Sequence, residues 1–283
     1  MSIEIPRSYG ATSEAVCRTA EEVADGETSD VHFHIRFFGN FGIFVDGEAL
    51  PLGTNAKALA ILKYLLAHRA RSVSREYLMG WLWPESSAKK ARWSLNSAVH
   101  ALRKLSAGWT SQAPHAGFVA YEGGCYRLHP SLRVSTDVDE FDAHYEHGRR
   151  LAEQGRVHEA AIEYEAAVRL YRGDYLEEEL YEDWTMVQRE RLINVYVGAL
   201  ARLAGYYAET ARYEEGLRVC YRILEKEPCH EGAYRVLMEC NVGLGLPALA
   251  GRQYRLCEEI LRRERGVSPS SETEALYRHI SGN

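Results

Sequence analysis

The chain lacks the marks of several protein classes. Its six cysteines (Cys17, Cys125, Cys220, Cys229, Cys240 and Cys257) include no CxxC pair. That spacing argues against a disulfide framework and a zinc site, and fits a reducing cytosol. No apolar run approaches the length needed to span a bilayer, and the first 30 residues have neither the basic start nor the apolar stretch of a signal peptide. Gly53 to Lys57 fails the spacing of a phosphate-binding loop, and HExxH does not occur. His144 and His147 lie three apart near Asp139 and Asp142, but a solvated helix face accounts for them better than a metal site. His32 and His34 alternate with apolar residues, as on the polar face of an edge strand. These absences predict a cytoplasmic protein with no enzymatic activity, cofactor, metal or membrane association.

Positive charge is also short overall, since the 283 residues carry a formal net charge of −6. Its distribution is uneven. Residues 1–30 hold 2 basic and 7 acidic side chains, and residues 31–136 hold 13 basic against 5 acidic. Residues 137–283 hold 19 basic against 28 acidic. A basic module joined to an acidic one is the electrostatic footprint of a DNA reader with a protein-facing partner domain. The first 30 residues read as a flexible acidic arm, with ordering against the rest of the protein as the alternative.

What is present is most concentrated between Ser86 and Ser106. At about 100° per residue, Ala91, Leu95, Ala98, Leu102 and Leu105 share one face of a helix. Lys89, Trp93, Asn96, His100 and Arg103 share the other, with Arg92 and Lys104 at its edges and Lys90 and Ser97 nearby. Cations, an amide, an imidazole and an indole suit phosphates and base edges. Trp93 has two readings, packing on an adjacent helix or touching DNA.

The flanking pattern gives this helix a setting. Residues 31–52 alternate and contain Asp46-Gly47, a hairpin signal in a small antiparallel sheet. Residues 54–70 change to helical period. Ser74 is placed to cap a second helix, with Val73 and Leu78 as a hydrophobic staple and Pro84 after its end. Residues 117–130 read as two strands joined at Gly123-Gly124. Sheet, three helices and a hairpin make a winged helix, whose third helix enters the major groove. Arg103 and Lys89 suit guanine or phosphate, Asn96 adenine, and His100 either role. Arg127 on the hairpin, Arg75 at the second helix, and Asn55 and Lys57 at the start of the first are further DNA-contact candidates.

From Asp137 onward nearly everything has helical period. Segments beginning at 155, 211 and 245 resemble one another. The last two are offset by 34 residues, the tetratricopeptide period. The longer first gap has room for an extra or lengthened helix. Stacked pairs of this kind present a concave surface.

In order along the chain, FGNFGIFVDGEALPL, AKALAILKYLLAH, VSREYLMGWLWPE, ARWSLNSAVHALRKL, GCYRL with DVDEF, and ARYEEGLRVCYRILEKEP with SPSSETEALY resemble the antibiotic regulatory protein family of bacterial activators. The resemblance implies an α+β winged helix of response-regulator type (31–136) followed by an all-α tetratricopeptide-like transcriptional activator domain (137–283). It also implies an activator that binds double-stranded DNA on direct repeats, self-associates there and contacts RNA polymerase. The chain departs from the family pattern at Trp93 and Asn96, so no operator sequence carries over. It ends where larger relatives continue into a nucleotide-binding module, and nucleotide control within this chain is not expected. Two alternatives stand beside the activator. One is a ligand-gated regulator binding a small molecule near Tyr175, Tyr181, Trp184, Tyr206 and Tyr207. The other is an adaptor whose winged helix no longer binds DNA.

Overall fold

The computed structural model describes residues 32–53, 55–107 and 117–282. The acidic arm, Cys17, Val31 and Thr54 lie outside these. The chain divides into two compact units. One comprises Gly42–Ser135 with the chain up to His34, and the other comprises Ile35–Phe41 with Thr136–Asn283.

The first unit is a winged helix. Strands β1 (His32–Arg36), β2 (Gly42–Val45), β3 (Glu48–Ala49) and β7 (Arg133–Thr136) form a sheet in the order β3-β2-β1-β7. Asp46 and Gly47 both take positive φ, 51° and 85°, as a two-residue turn matched to strand twist requires. Because β7 returns to pair beside β1, the first strand is internal, which corrects its reading as an edge. His34 faces Ser135, with Nδ1 3.2 Å from Oγ, instead of water alone.

Three helices follow: α1 (Ala56–Ala67), α2 (Arg75–Leu82) and α3 (Ala88–Ala107). Asn55 caps α1, its side-chain oxygen accepting from the Ala58 amide at 3.0 Å. Ser74 caps α2 through the Tyr77 amide at 3.1 Å, and Val73 and Leu78 are both buried, as a staple demands. Strands β5 (Val119–Glu122) and β6 (Cys125–Leu128) make the wing, and β6 also pairs with the two-residue β4 (Val73–Ser74). Ile61, Leu62, Leu65, Leu66, Leu78, Leu95 and Phe118 form the core between these elements.

The second unit is three helical hairpins and a closing helix. The hairpins pair α4 (Asp137–Glu153) with α5 (Val157–Leu170), α6 (Asp183–Glu209) with α7 (Tyr213–Lys226), and α8 (Glu231–Gly243) with α9 (Pro247–Arg265); α10 (Ser271–Ser281) follows. Gly155, Ala211 and Gly245 end the first helix of each pair with φ of 75°, 56° and 75°. The recurrence visible at 155, 211 and 245 is therefore a repeated left-handed cap. The longer gap is filled by the 27-residue α6 and by the connection before it, which holds a short 3-10 turn at Glu177–Glu179. Gly148 sits where a Cβ would be 2.9 Å from the Tyr164 ring, so a hairpin this tight needs glycine there.

Segment Ile35–Phe41 is built into this unit by hydrogen bonds. Asp137, the first residue of α4, accepts from the Phe37 amide at 2.8 Å and the Phe38 amide at 3.0 Å. Phe38 packs on Phe141 and Tyr171, with ring centroids 5.1 and 4.7 Å away, and Phe37 on Tyr175 at 5.3 Å.

Candidate nucleic-acid interface

Helix α3 presents its two faces as its periodicity demands. The Ser87 carbonyl accepts from Ala91 at 2.9 Å and its hydroxyl from Lys90 at 3.4 Å, which starts the helix. Ala91, Leu95, Ala98, Val99 and Leu102 are buried, and Leu105 is half-buried. Lys89, Lys90, Arg92, Trp93, Asn96, Ser97, His100, Arg103 and Lys104 are exposed. Trp93 is 73% exposed, which overturns the reading that packs it on a neighbouring helix.

One flank of that polar face closes a cavity of about 530 Å³ with the wing and the start of α2. Its lining is Arg75, Arg92, Asn96, Val99, His100, Arg103, Tyr121 and Tyr126. Backbone pairing brings these elements together. Val73 and Ser74 pair with Tyr126 and Cys125, and the Arg75 amide donates to the Gly124 carbonyl at 3.1 Å. The Ser74 cap then makes Arg75 the first residue of α2 at the mouth of the wing turn. The Arg75 guanidinium is held by Glu76 through Nε and Nη2, at 3.1 and 3.0 Å.

The two tyrosines were not among the residues singled out from the sequence. A signal for them existed. A two-residue turn at Gly123-Gly124 sets the register Glu122↔Cys125 and therefore Tyr121↔Tyr126. Their rings meet at 4.6 Å, and Tyr121 remains 43% exposed. Burial raises the Tyr126 phenol above its usual range, opposed by the positive charge of Arg75, Arg103 and Arg92. Those three cations thus share one electrostatic neighbourhood. Gly117, also unremarked in the sequence, lets the chain enter the wing across α3, because a Cβ there would lie 2.8 Å from Arg103 Cγ.

The remaining candidates lie outside the cavity. Lys89 and Lys90 sit exposed in the first turn of α3, while Trp93, Ser97 and Lys104 project from its outer side. Lys89, Lys90 and Lys104 enter no ion pair among the described residues. Arg127 on β6 is joined to Glu122 at 2.8 Å across the hairpin. Asn55 spends its side-chain oxygen on the α1 cap, and Lys57 is exposed in that helix's first turn.

Of the aromatic residues of the ligand-gated reading, Tyr206 and Tyr207 are neighbours in the helical unit, with ring centroids 5.7 Å apart. Tyr175 is buried against Phe37, and Tyr181 is 97% exposed. Tyr206 meets His158 at 2.6 Å, whereas Tyr207 donates to Glu165 at 2.7 Å under the Arg212 guanidinium. His144 and His147 converge on Glu163 of α5, at 2.6 and 3.3 Å, and Asp142 takes a two-pronged contact from Arg191. No cluster suited to a metal ion occurs among the described residues, and none of their helices is long and apolar enough to cross a membrane. The buried thiols of Cys220 and Cys257 are pushed by burial up to about 12. Such thiols are inert near neutral pH.

A winged helix with a cation-lined face, on one chain with stacked helical hairpins, defines a class of two-part regulatory proteins. Residues 136–281 match the bacterial transcriptional activator domain model, which is more than half of the chain, and the protein belongs to that family. It is 28% identical over 261 residues to the transcriptional regulatory protein EmbR of Mycobacterium tuberculosis H37Rv and to EmbR of Mycobacterium bovis. Those alignments cover 91% of this chain and 66% of either relative, so the chain spans slightly under two thirds of their length. It also matches the structure of Mycobacterium tuberculosis EmbR in complex with a low affinity phosphopeptide, with a TM-score of 0.73 and 25% identity. That match covers 89% of this chain and 66% of the other.

Proposed function

We propose that this protein is a sequence-specific DNA-binding transcriptional activator that seats α3 in the major groove of double-stranded DNA. The observation that carries the reading is the convergence of Arg75, Arg92, Asn96, His100 and Arg103 from two helices beside the wing. Guanidinium and amide groups on one helix face are the chemistry of base-edge recognition, and those at its rim suit phosphate. On this reading Asn96 and Arg103 address bases. Arg75, Arg92, Lys89, Lys90 and Lys104 address the backbone, with Ser97 and His100 between them. Arg127 reaches phosphate only by leaving Glu122, and Asn55 and Lys57 contribute the amino end of α1. The acidic helical unit is the surface for protein partners, among them a second protomer on a direct repeat and RNA polymerase. Membership of the activator-domain family supports that division of labour.

The test is selection of genomic fragments by the purified chain at near-physiological salt. Enrichment of a short direct repeat spaced by about one helical turn is the expected result. A flat profile, with weak binding that vanishes steeply as salt rises, would reduce the interaction to phosphate contact and refute sequence reading.

A further inference from the structure

Resting on that DNA-reading function, we infer that Trp93 is a base-reading residue whose indole packs on thymine C5-methyl groups in the major groove. Tryptophan is an unusual choice for a solvated position, because its ring carries a large apolar area that gains by burial. On α3 it is 73% exposed. At about 100° per residue it lies almost diametrically opposite the buried stripe of Ala91, Leu95, Ala98 and Leu102, and within about 20° of His100. It is the sixth residue of a 20-residue helix, and residues toward the amino end of such a helix contact base edges when it docks. Its exposed neighbours Lys89, Lys90 and Arg92 are cationic, which favours a polyanion over an apolar protein surface.

The chemistry of the ring selects the target. An indole has a single donor and no acceptor, so it cannot make the paired hydrogen bonds that distinguish guanine or adenine. The apolar feature exposed on the major-groove edge is the thymine methyl group, and an apolar side chain reads it by excluding water. Trp93 therefore supplies a preference for thymine at one or two operator positions, beside the polar readout of Asn96 and Arg103.

The experiment replaces thymine by uracil, one position at a time, in the operator recovered by fragment selection. Binding of the full chain and of Trp93→Ala and Asn96→Ala variants is measured by fluorescence anisotropy. For the unaltered chain, loss of the methyl at one or two positions weakens binding about 4-fold, the equivalent of about 0.8 kcal/mol for one methyl-sized group. Trp93→Ala, a change at a position 73% exposed, binds the thymine operator more weakly and is indifferent to uracil at those positions. Asn96→Ala still senses the methyl. The inference is overturned if uracil changes nothing at any position, or if Trp93→Ala keeps the same sensitivity. A selection that enriches no sequence at all overturns the DNA-reading function and this inference with it.

Discussion

Asp137 offers the most demanding test of how the helical unit is built. Its carboxylate is buried, and its two oxygens accept from the backbone amides of Phe37 and Phe38, at 2.8 and 3.0 Å. These residues lie a hundred positions away in sequence, so one side chain fastens a remote segment to the first turn of α4. Replacing Asp137 by alanine removes both acceptors without removing the donors. Each buried amide left unsatisfied costs about 1–3 kcal/mol. A carboxylate in the first turn of a helix adds about 0.3–1 kcal/mol through the helix dipole. The expected loss is about 4 kcal/mol, which at about 2–4 °C per kcal/mol lowers the melting temperature of a unit this size by roughly 8–16 °C. Asp137→Asn keeps one acceptor oxygen and turns an amide donor toward the other N–H, so about half the loss is expected. Circular dichroism follows the helical melting transition, and hydrogen exchange reads the Phe37 and Phe38 amides directly. Asp137→Ala melting within about 2 °C of the parent, with both amides still protected, would refute the reasoning.

Three further outcomes follow from the geometry. Arg103→Ala or Asn96→Ala should cost about 1–3 kcal/mol at one base position and relax preference there, as selection with the variants would read out; unchanged preference would remove Arg103 and Asn96 from the recognition role. Gly117→Val should weaken DNA binding more than it lowers the melting temperature, since any Cβ collides with the Arg103 stem and must move the wing or that side chain; a variant with full affinity would show that the wing's approach is unimportant. Glu231 is buried enough to resist ionisation, yet hydrogen bonds from the Ser270 amide and hydroxyl and from Thr273 prevail and hold its carboxyl below the ordinary 4.5. The folded state therefore binds the proton less readily than the unfolded one. Its stabilising contribution is complete above the ordinary value and disappears as pH falls through the lowered one. The melting difference between the parent and Glu231→Gln should be largest near neutral pH and shrink in acid; a difference that grows in acid would contradict it.

Much of this protein was legible before any tertiary contact was known, wherever the controlling interaction is local. Asp46-Gly47 and Gly123-Gly124 announced their turns because left-handed backbone at two successive positions demands such residues. Ser74 announced α2 because a cap acts within three residues. The two faces of α3 followed from its period, and the repeat at 155, 211 and 245 from its recurring caps. These patterns also placed the polar residues of α3 on one surface.

What the sequence alone left open depended on distant partners. Nothing within α3 shows whether Trp93 packs or projects, because that depends on which elements cover its neighbours. Strand β4, with two residues, is too short to have a pattern of its own, and β4 and β7 take their places by pairing with β6 and β1. Without β7, His34 reads as an edge residue; with it, His34 meets Ser135. Arg75 and the tyrosine pair join Arg92, Asn96, His100 and Arg103 only because β4 pairs with β6 beside the wing turn. Segment Ile35–Phe41 belongs to the helical unit because a carboxylate a hundred residues later satisfies its amides. Local chemistry determined the elements and their faces; long-range hydrogen bonding and packing decided which residues became neighbours.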